Sequence, residues 1–96
     1  MSRPDDAKPY RVIYSRAAAR ALSERLPEPA AFAAHEFCQG PLASDPRRVG
    51  HQLRPPFVGQ WSARRGEYRV RYQIDEDDHA VHVLDVDHRR DVYRLR

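Results

Sequence analysis

Residues Tyr68-Arg69-Val70-Arg71-Tyr72-Gln73-Ile74-Asp75 alternate apolar with polar or basic side chains. Successive side chains of a strand point to opposite faces. The stretch therefore predicts a strand that sends Tyr68, Val70, Tyr72 and Ile74 into a core and leaves Arg69 and Arg71 on the other surface. A second run, Val81, Val83, Leu84 and Val86, is almost continuously apolar. It predicts a last strand at 81–87 that is covered on both faces and so central. Between the two, Glu76 to His79 reads as an acidic turn. Ahead of them, Gln60 to Arg64 reads as a short strand and Arg65-Gly66-Glu67 as its turn.

The first half has a different period. Tyr10-Arg11-Val12-Ile13-Tyr14 is β-branched and aromatic, and Ser15 can cap the segment that follows, so strand then helix is expected. Ala18, Leu22 and Leu26 recur every four residues and predict the buried stripe of a helix from about 16 to 26, stopped by Pro27. Pro29 suits the first turn of a second helix. Ala30, Ala33, Ala34 and Phe37 form its packing face, and Gly40-Pro41 ends it. Residues 41–59 carry four prolines and two glycines without a period. They are expected to be a connecting stretch that wraps the sheet edge, with Leu42, Val49 and Leu53 able to pin it. Loops this long in compact domains often carry function.

These elements predict an α+β domain. It has an N-terminal strand, a helical hairpin and then a three-stranded antiparallel meander, with helices on one face of a small sheet and arginines on the other. At 96 residues there is surface for one core. An apolar share of 41%, with Phe32, Phe37, Phe57, Trp61 and five tyrosines, is enough to fill it. Residues 1–9 lack any apolar period and read as a mobile start, leaving 10–96 as the domain.

Cys38 is the only cysteine, which excludes an internal disulfide and a cysteine-based metal site. The five histidines show no matching pair to complete a zinc set. The chain carries no long apolar run for a signal peptide or membrane span, so a cytoplasmic location is expected. The net charge is only +3, yet most arginines lie in the second half, and Lys8 is the sole lysine among 17 basic residues. Such a bias fits phosphate recognition, since guanidinium is planar, forked and always charged; it fits a GC-rich genome equally.

The segment Gly59-Gln60-Trp61-Ser62-Ala63-Arg64-Arg65-Gly66-Glu67-Tyr68-Arg69-Val70-Arg71-Tyr72, followed by His88-Arg89-Arg90-Asp91-Val92-Tyr93, resembles the RelE/ParE toxin superfamily, in particular its RelE-like messenger-RNA interferases. The likeness spans nearly the whole chain. It implies a toxin of a type II toxin–antitoxin system: a metal-independent endoribonuclease without cofactors that enters the ribosomal A site and cleaves messenger RNA through attack by the substrate's own 2′-hydroxyl. It also implies as partners the ribosome, its message and a cognate antitoxin, the last held in a hetero-oligomer.

Such cleavage needs a base at the 2′-oxygen, cations on the phosphate and an acid for the 5′-oxygen. By the resemblance, Arg69 clamps the phosphorane, Arg89 is a second family arginine, and Tyr93 stacks on or orients the scissile nucleotide. Arg64 or Arg65, with Arg71 and Arg48, would hold flanking phosphates, and Trp61 would either stack on a base or sit in the core. Relatives place lysines or a glutamate on the hairpin strand where Ser62 and Ala63 stand here. His88 is the nearby group that titrates near neutrality and is expected either to transfer protons or to close the strand structurally. Two other functions share these features: a ParE-like poison of DNA gyrase that cleaves nothing, and a passive RNA-binding domain.

Overall fold

The computed structural model describes residues 8–88. Strand β1 (Arg11–Tyr14) leads into helix α1 (Arg16–Arg20), whose first turn is capped as expected: the Ala18 amide donates to Ser15 Oγ at 3.0 Å. The helix then widens into a π-helical turn, Ala21–Arg25, closed by the Leu26 amide on the Ala21 carbonyl at 3.0 Å. That widening changes the buried stripe. Ala18, Ala21 and Leu26 are buried while Leu22 is only half-buried, because a fourfold repeat drifts off the core face once the turn holds an extra residue.

Helix α2 (Glu28–Phe37) buries Ala30, Ala34 and Phe37 and leaves Ala33 exposed. It does not end at Gly40-Pro41 as expected. The chain continues through a second π-helical turn, Cys38–Leu42, with Pro41 inside it. The stretch 41–59 is also more ordered than its composition suggested. It holds helix α3 (Pro46–Val49) and a two-residue strand β2 (His51–Gln52), too short to show a hydrophobic period. Strands β3 (Trp61–Arg65), β4 (Tyr68–Asp75) and β5 (Ala80–His88) complete the sheet.

The five strands lie in the order β1-β5-β4-β3-β2. The expected meander β3-β4-β5 is therefore extended at both edges, by β1 parallel to β5 and by β2 antiparallel to β3. Pairing of β4 with β5 contains one irregularity: Arg71 faces Asp85 while Tyr72 faces Val83, so Leu84 has no partner across the ladder. This bulge corrects the expectation that β5 is covered on both faces. Its apolar run is nearly continuous because Leu84 is inserted; Val81, Val83 and Val86 all face the helices, and the other face stays partly open.

The core lies between helices and sheet. Val70, Tyr72, Val81 and Val83 are fully buried against Ala18, Ala21, Ala34, Cys38 and Leu42. Two tyrosine hydroxyls pin the layers, with Tyr68 donating to the Ala33 carbonyl at 3.2 Å and Tyr72 to the Pro46 carbonyl at 2.7 Å. Burial pushes the Tyr72 phenol up to about 12, so it remains a donor throughout the working range. Burial likewise pushes the Cys38 thiol up to about 12, which keeps it an inert packing residue.

Gly50 lies where α3 returns to the sheet, and a Cβ there would stand 2.2 Å from Tyr72 Oη and 2.7 Å from the Ser62 carbonyl oxygen. Gly50→Ala is expected to cost about 1–3 kcal/mol, the usual scale of overpacking. Tyr72→Phe is expected to cost about 1–3 kcal/mol by leaving the Pro46 carbonyl without its donor. The double variant should cost less than the sum, because Tyr72→Phe removes one of the two clashing atoms. Denaturant unfolding of the four proteins measures that difference, and strict additivity would refute the contact.

Candidate nucleic-acid interface

Directly paired residues in a ladder share a face, so the register sorts the side chains. Tyr68, Val70 and Tyr72 pair with His88, Val86 and Val83 toward the helices. Arg69 and Arg71 pair with Asp87 and Asp85 on the helix-free face. Across the other edge of β4, Arg64 faces Arg69 and Ser62 faces Arg71. Three arginines thus project from two adjacent strands onto one open surface, with Arg64 exposed and the other two half-buried.

A cleft of about 230 Å³ opens there, lined by Leu53, Phe57, Ser62, Arg69, Arg71 and Asp87. The chain between β2 and β3 forms its rim. Its closure depends on the Leu53 amide donating to the Gln60 carbonyl at 2.9 Å, and it carries Phe57 and Val58 with 48% and 72% of their surface in solvent. Two large apolar side chains left exposed beside a cationic cleft suit contact with a flat partner. Arg71 Nε is buried and has no hydrogen-bond partner among the described residues. A buried donor short of one bond is a cost that the fold carries beside the cleft.

Two carboxylates on this face were not anticipated. Asp85 is engaged by Arg25 at 3.0 Å and also accepts from the Val86 amide at 2.9 Å. Asp87 makes no ion pair within 4.0 Å among the described residues. Its carboxyl lies above the ordinary aspartate range, first because burial penalises the charge and then because Asp85 repels it; Arg69, Arg71 and Arg25 oppose the shift without cancelling it. The spacing Asp85-Val86-Asp87 did carry a period of two. Their pairing with Arg71 and Arg69 could not be read, because it depends on the bulge at Leu84.

A larger cavity of about 670 Å³ continues across the same face toward β1. It is lined by Gln73, Asp75, Glu76, Asp77 and His82 among others, so the open surface is basic at one end and acidic at the other. Among the described residues no cluster of three or more His, Cys, Asp or Glu could hold a metal ion. No helix among them is long and apolar enough to cross a membrane.

The candidate residues divide accordingly. Arg64, Arg69 and Arg71 come together. Trp61 and Arg65 pair with Tyr72 and Tyr68 and so face the helices: Trp61 stacks on Tyr72 at 6.3 Å between ring centroids, and Arg65 sits 4.7 Å above the Phe37 ring. Arg48 is exposed on α3, which packs on that same helical side through the Tyr72 contact to Pro46. His88 is only 7% exposed, shares the face of Tyr68 and meets Glu67 Oε1 through Nε2 at 3.2 Å. It closes the strand away from the arginines, because the bulge sets its parity. Arg89 and Tyr93 lie outside the described residues.

A family model described as the ParE toxin of type II toxin–antitoxin systems, parDE, matches residues 12–93. The chain belongs to this family. Within the wider RelE/ParE superfamily it is of the RelE type. It is 46% identical over 90 residues to Toxin RelE of Mycobacterium tuberculosis (strain ATCC 25618 / H37Rv), covering 94% of this chain and 92% of that one. Toxin RelG of the same organism is 45% identical over 86 residues, covering 90% and 98%. The fold agrees with the crystal structure of the RelBE2 toxin–antitoxin complex from Mycobacterium tuberculosis at a TM-score of 0.82 and 44% identity, over 85% of this chain and 100% of that one. It agrees with the isolated E. coli RelE toxin at 0.66 and 16% identity, over 91% and 99%, a likeness of fold alone. The chain is thus a type II toxin with an α+β RelE fold, as its sequence led us to expect.

The raised Asp87 carboxyl has a consequence for toxin stability. A carboxyl whose folded value exceeds its unfolded value, ordinarily 3.8, stabilises the fold below the unfolded value and loses that contribution as pH rises through the folded one. The stability of wild type relative to Asp87→Asn should therefore fall as pH rises through that window. Denaturation midpoints of the two proteins on either side of it check the sign, and a rise would contradict the burial of Asp87.

Proposed function

We propose that this toxin is a ribosome-dependent endoribonuclease that binds messenger RNA across the helix-free face and cleaves it by attack of a ribose 2′-hydroxyl on the adjacent phosphate. The observation that carries the reading is the set Arg64, Arg69 and Arg71, aligned by strand register on one open face without an ion pair among the described residues. Arg69 is the phosphate clamp. It stands near the start of β4 with Arg64 opposite and lines the cleft, where its guanidinium would meet the negative charge that grows on the phosphorus oxygens. Arg71, which lines the cleft, and exposed Arg64 hold flanking phosphates and set the register of the message. Arg89 and Tyr93 complete the site from the segment beyond β5, as the family likeness implies. No metal or cofactor takes part.

The same face accounts for neutralisation. The relatives of known structure include toxin–antitoxin complexes, and a cognate antitoxin that lays an acidic or amphipathic segment over the arginines would keep the toxin silent in the cytoplasm. The family model carries the name ParE, so a gyrase-poisoning activity is the alternative that experiment must exclude. Gyrase poisoning needs no phosphate clamp, and Arg64, Arg69 and Arg71, without an ion pair among the described residues, would then have no assigned work.

Arg69→Ala is expected to slow cleavage of ribosome-bound message by about 10²-fold or more, the scale for losing one preorganised donor to developing charge. Ribosome association should be retained. Arg48→Ala, on the opposite side of the sheet, should leave the bound-state rate unchanged. Single-turnover cleavage on programmed ribosomes measures both. Equal rates for wild type and Arg69→Ala would remove the clamp, and gyrase-linked DNA breaks with continuing protein synthesis would replace the reading altogether.

A further inference from the structure

Arginine stays protonated at any working pH and cannot accept a proton. His88, the titratable group expected beside the arginines, faces the helices instead. Ser62 and Ala63 occupy the hairpin strand positions, and neither is a useful base near neutrality. A cleaving site built on Arg64, Arg69 and Arg71 still needs a group that takes the proton from the 2′-oxygen.

We propose that Asp87 is that group, accepting the 2′-hydroxyl proton inside the arginine cleft. The inference rests on the nuclease reading above. Asp87 pairs directly with Arg69 in the ladder, so a phosphate clamped by Arg69 lies one side chain away from its carboxylate. Among the described residues it is the only carboxylate lining the 230 Å³ cleft, which it shares with Arg69, Arg71, Ser62, Leu53 and Phe57. The other carboxylate paired with this arginine cluster, Asp85, is occupied by Arg25 at 3.0 Å. The charged groups that act on Asp87 are Arg69 and Arg71 from β4, Asp85 from its own strand and Arg25 from the helical layer. The apolar rim contributes too: Leu53 and Phe57 limit water on one side of the cleft, and burial is the leading cause of the raised carboxyl value. A base is more effective as its pKa approaches the working pH, so this displacement acts in the useful direction.

In the proposed step the Asp87 carboxylate takes the 2′-hydroxyl proton as the 2′-oxygen forms its bond to phosphorus. The bond from phosphorus to the 5′-oxygen breaks, giving a 2′,3′-cyclic phosphate. The departing 5′-oxygen takes a proton from water, and the proton on Asp87 returns to the hydroxide left behind. No oxidant, reductant or metal is consumed. Arg69 neutralises charge on the phosphorane throughout but exchanges no proton.

The test is single-turnover cleavage of message on programmed ribosomes as a function of pH, for wild type, Asp87→Asn and Asp87→Glu, with ribosome binding and unfolding midpoints measured on each. Asp87→Asn should lower the bound-state rate by about 10²- to 10⁴-fold, the range for losing a positioned base. It should also abolish the acid limb of the pH–rate profile while ribosome affinity is kept. Asp87→Glu should restore part of the rate together with an acid limb. An Asp87→Asn protein that is slow yet keeps the wild-type acid limb would overturn the assignment in favour of a positioning role for Arg69. A wild-type rate in Asp87→Asn would overturn it outright. Absence of cleavage by the wild type itself would overturn the nuclease reading and Asp87 with it, so the two failures are distinguishable. Should Asp87→Asn fail to fold, Asp87→Glu carries the test: a wild-type rate with an unshifted acid limb would overturn the proposal.

Discussion

Pairing of β4 with β5, with one extra residue at Leu84, is the constraint on which both layers of this molecule depend. Strand β4 obeys strict alternation for its full length, with Tyr68, Val70 and Tyr72 inward and Arg69 and Arg71 outward. Strand β5 does not. Its valines at 81 and 83 share a parity that Val86 breaks, and without an inserted residue either Val86 or the pair before it would face water. The bulge absorbs the mismatch. Val86 reaches the core opposite Val70, and Asp85 and Asp87 move to the arginine face. One unpaired residue therefore closes the apolar layer and also sets the charge pattern of the cleft.

The charge pattern has a folding cost. Arg64 and Arg69 stand directly opposite each other across the β3–β4 ladder, and like charges so placed are destabilising. Arg71 adds a buried Nε that no described residue satisfies. Asp87 and Asp85, opposite Arg69 and Arg71 across the other ladder, offset only part of this. Here Asp85 is drawn away by Arg25, an interaction that joins the first helical segment to the sheet. Among the described residues Arg64, Arg69 and Arg71 make no close ion pair, and Phe57 and Val58 at the rim are left exposed. The opposite edge shows the contrast. There Glu76 is engaged by Arg47 and by the Tyr10 hydroxyl, and its carboxyl is held below the ordinary range by those bonds. Among the described residues, Glu76 is held by close bonds at that edge, whereas Arg64, Arg69 and Arg71 make no close ion pair at the cleft.

Much of this was legible in the chain because strand β4 alternates cleanly and Ser15, Pro27 and Pro29 punctuate the helical layer. The arginine face followed directly from that period. What escaped did so for identifiable physical reasons. Strand β2 is two residues long, so no pattern could announce it. Both helices widen into π-helical turns, which shifted Leu22 off the buried stripe in favour of Ala21 and carried the second helix past Gly40-Pro41. The largest misplacement, His88, has the same origin as the missed aspartates: a bulge inverts the faces of every residue that follows it, and nothing local in Val83-Leu84-Asp85 reveals it.

That inversion bears on how the site divides its chemistry. Asp85 and Asp87 share a strand and a face, two residues apart, yet a guanidinium holds the first while burial and the first carboxylate act on the second. Neighbouring acids driven into unlike surroundings are the usual means by which one site obtains both a fixed charge and a mobile proton. Had β5 run without its bulge, His88 would have stood among the arginines and Asp87 would have been buried against the helices. A histidine there would have been repelled as a cation, and a buried aspartate would have lost its charge. With the bulge, the cleft contains cations that cannot release protons and a carboxylate that can receive one. In the proposed reaction, strand geometry thereby separates charge stabilisation from proton transfer before any side chain moves.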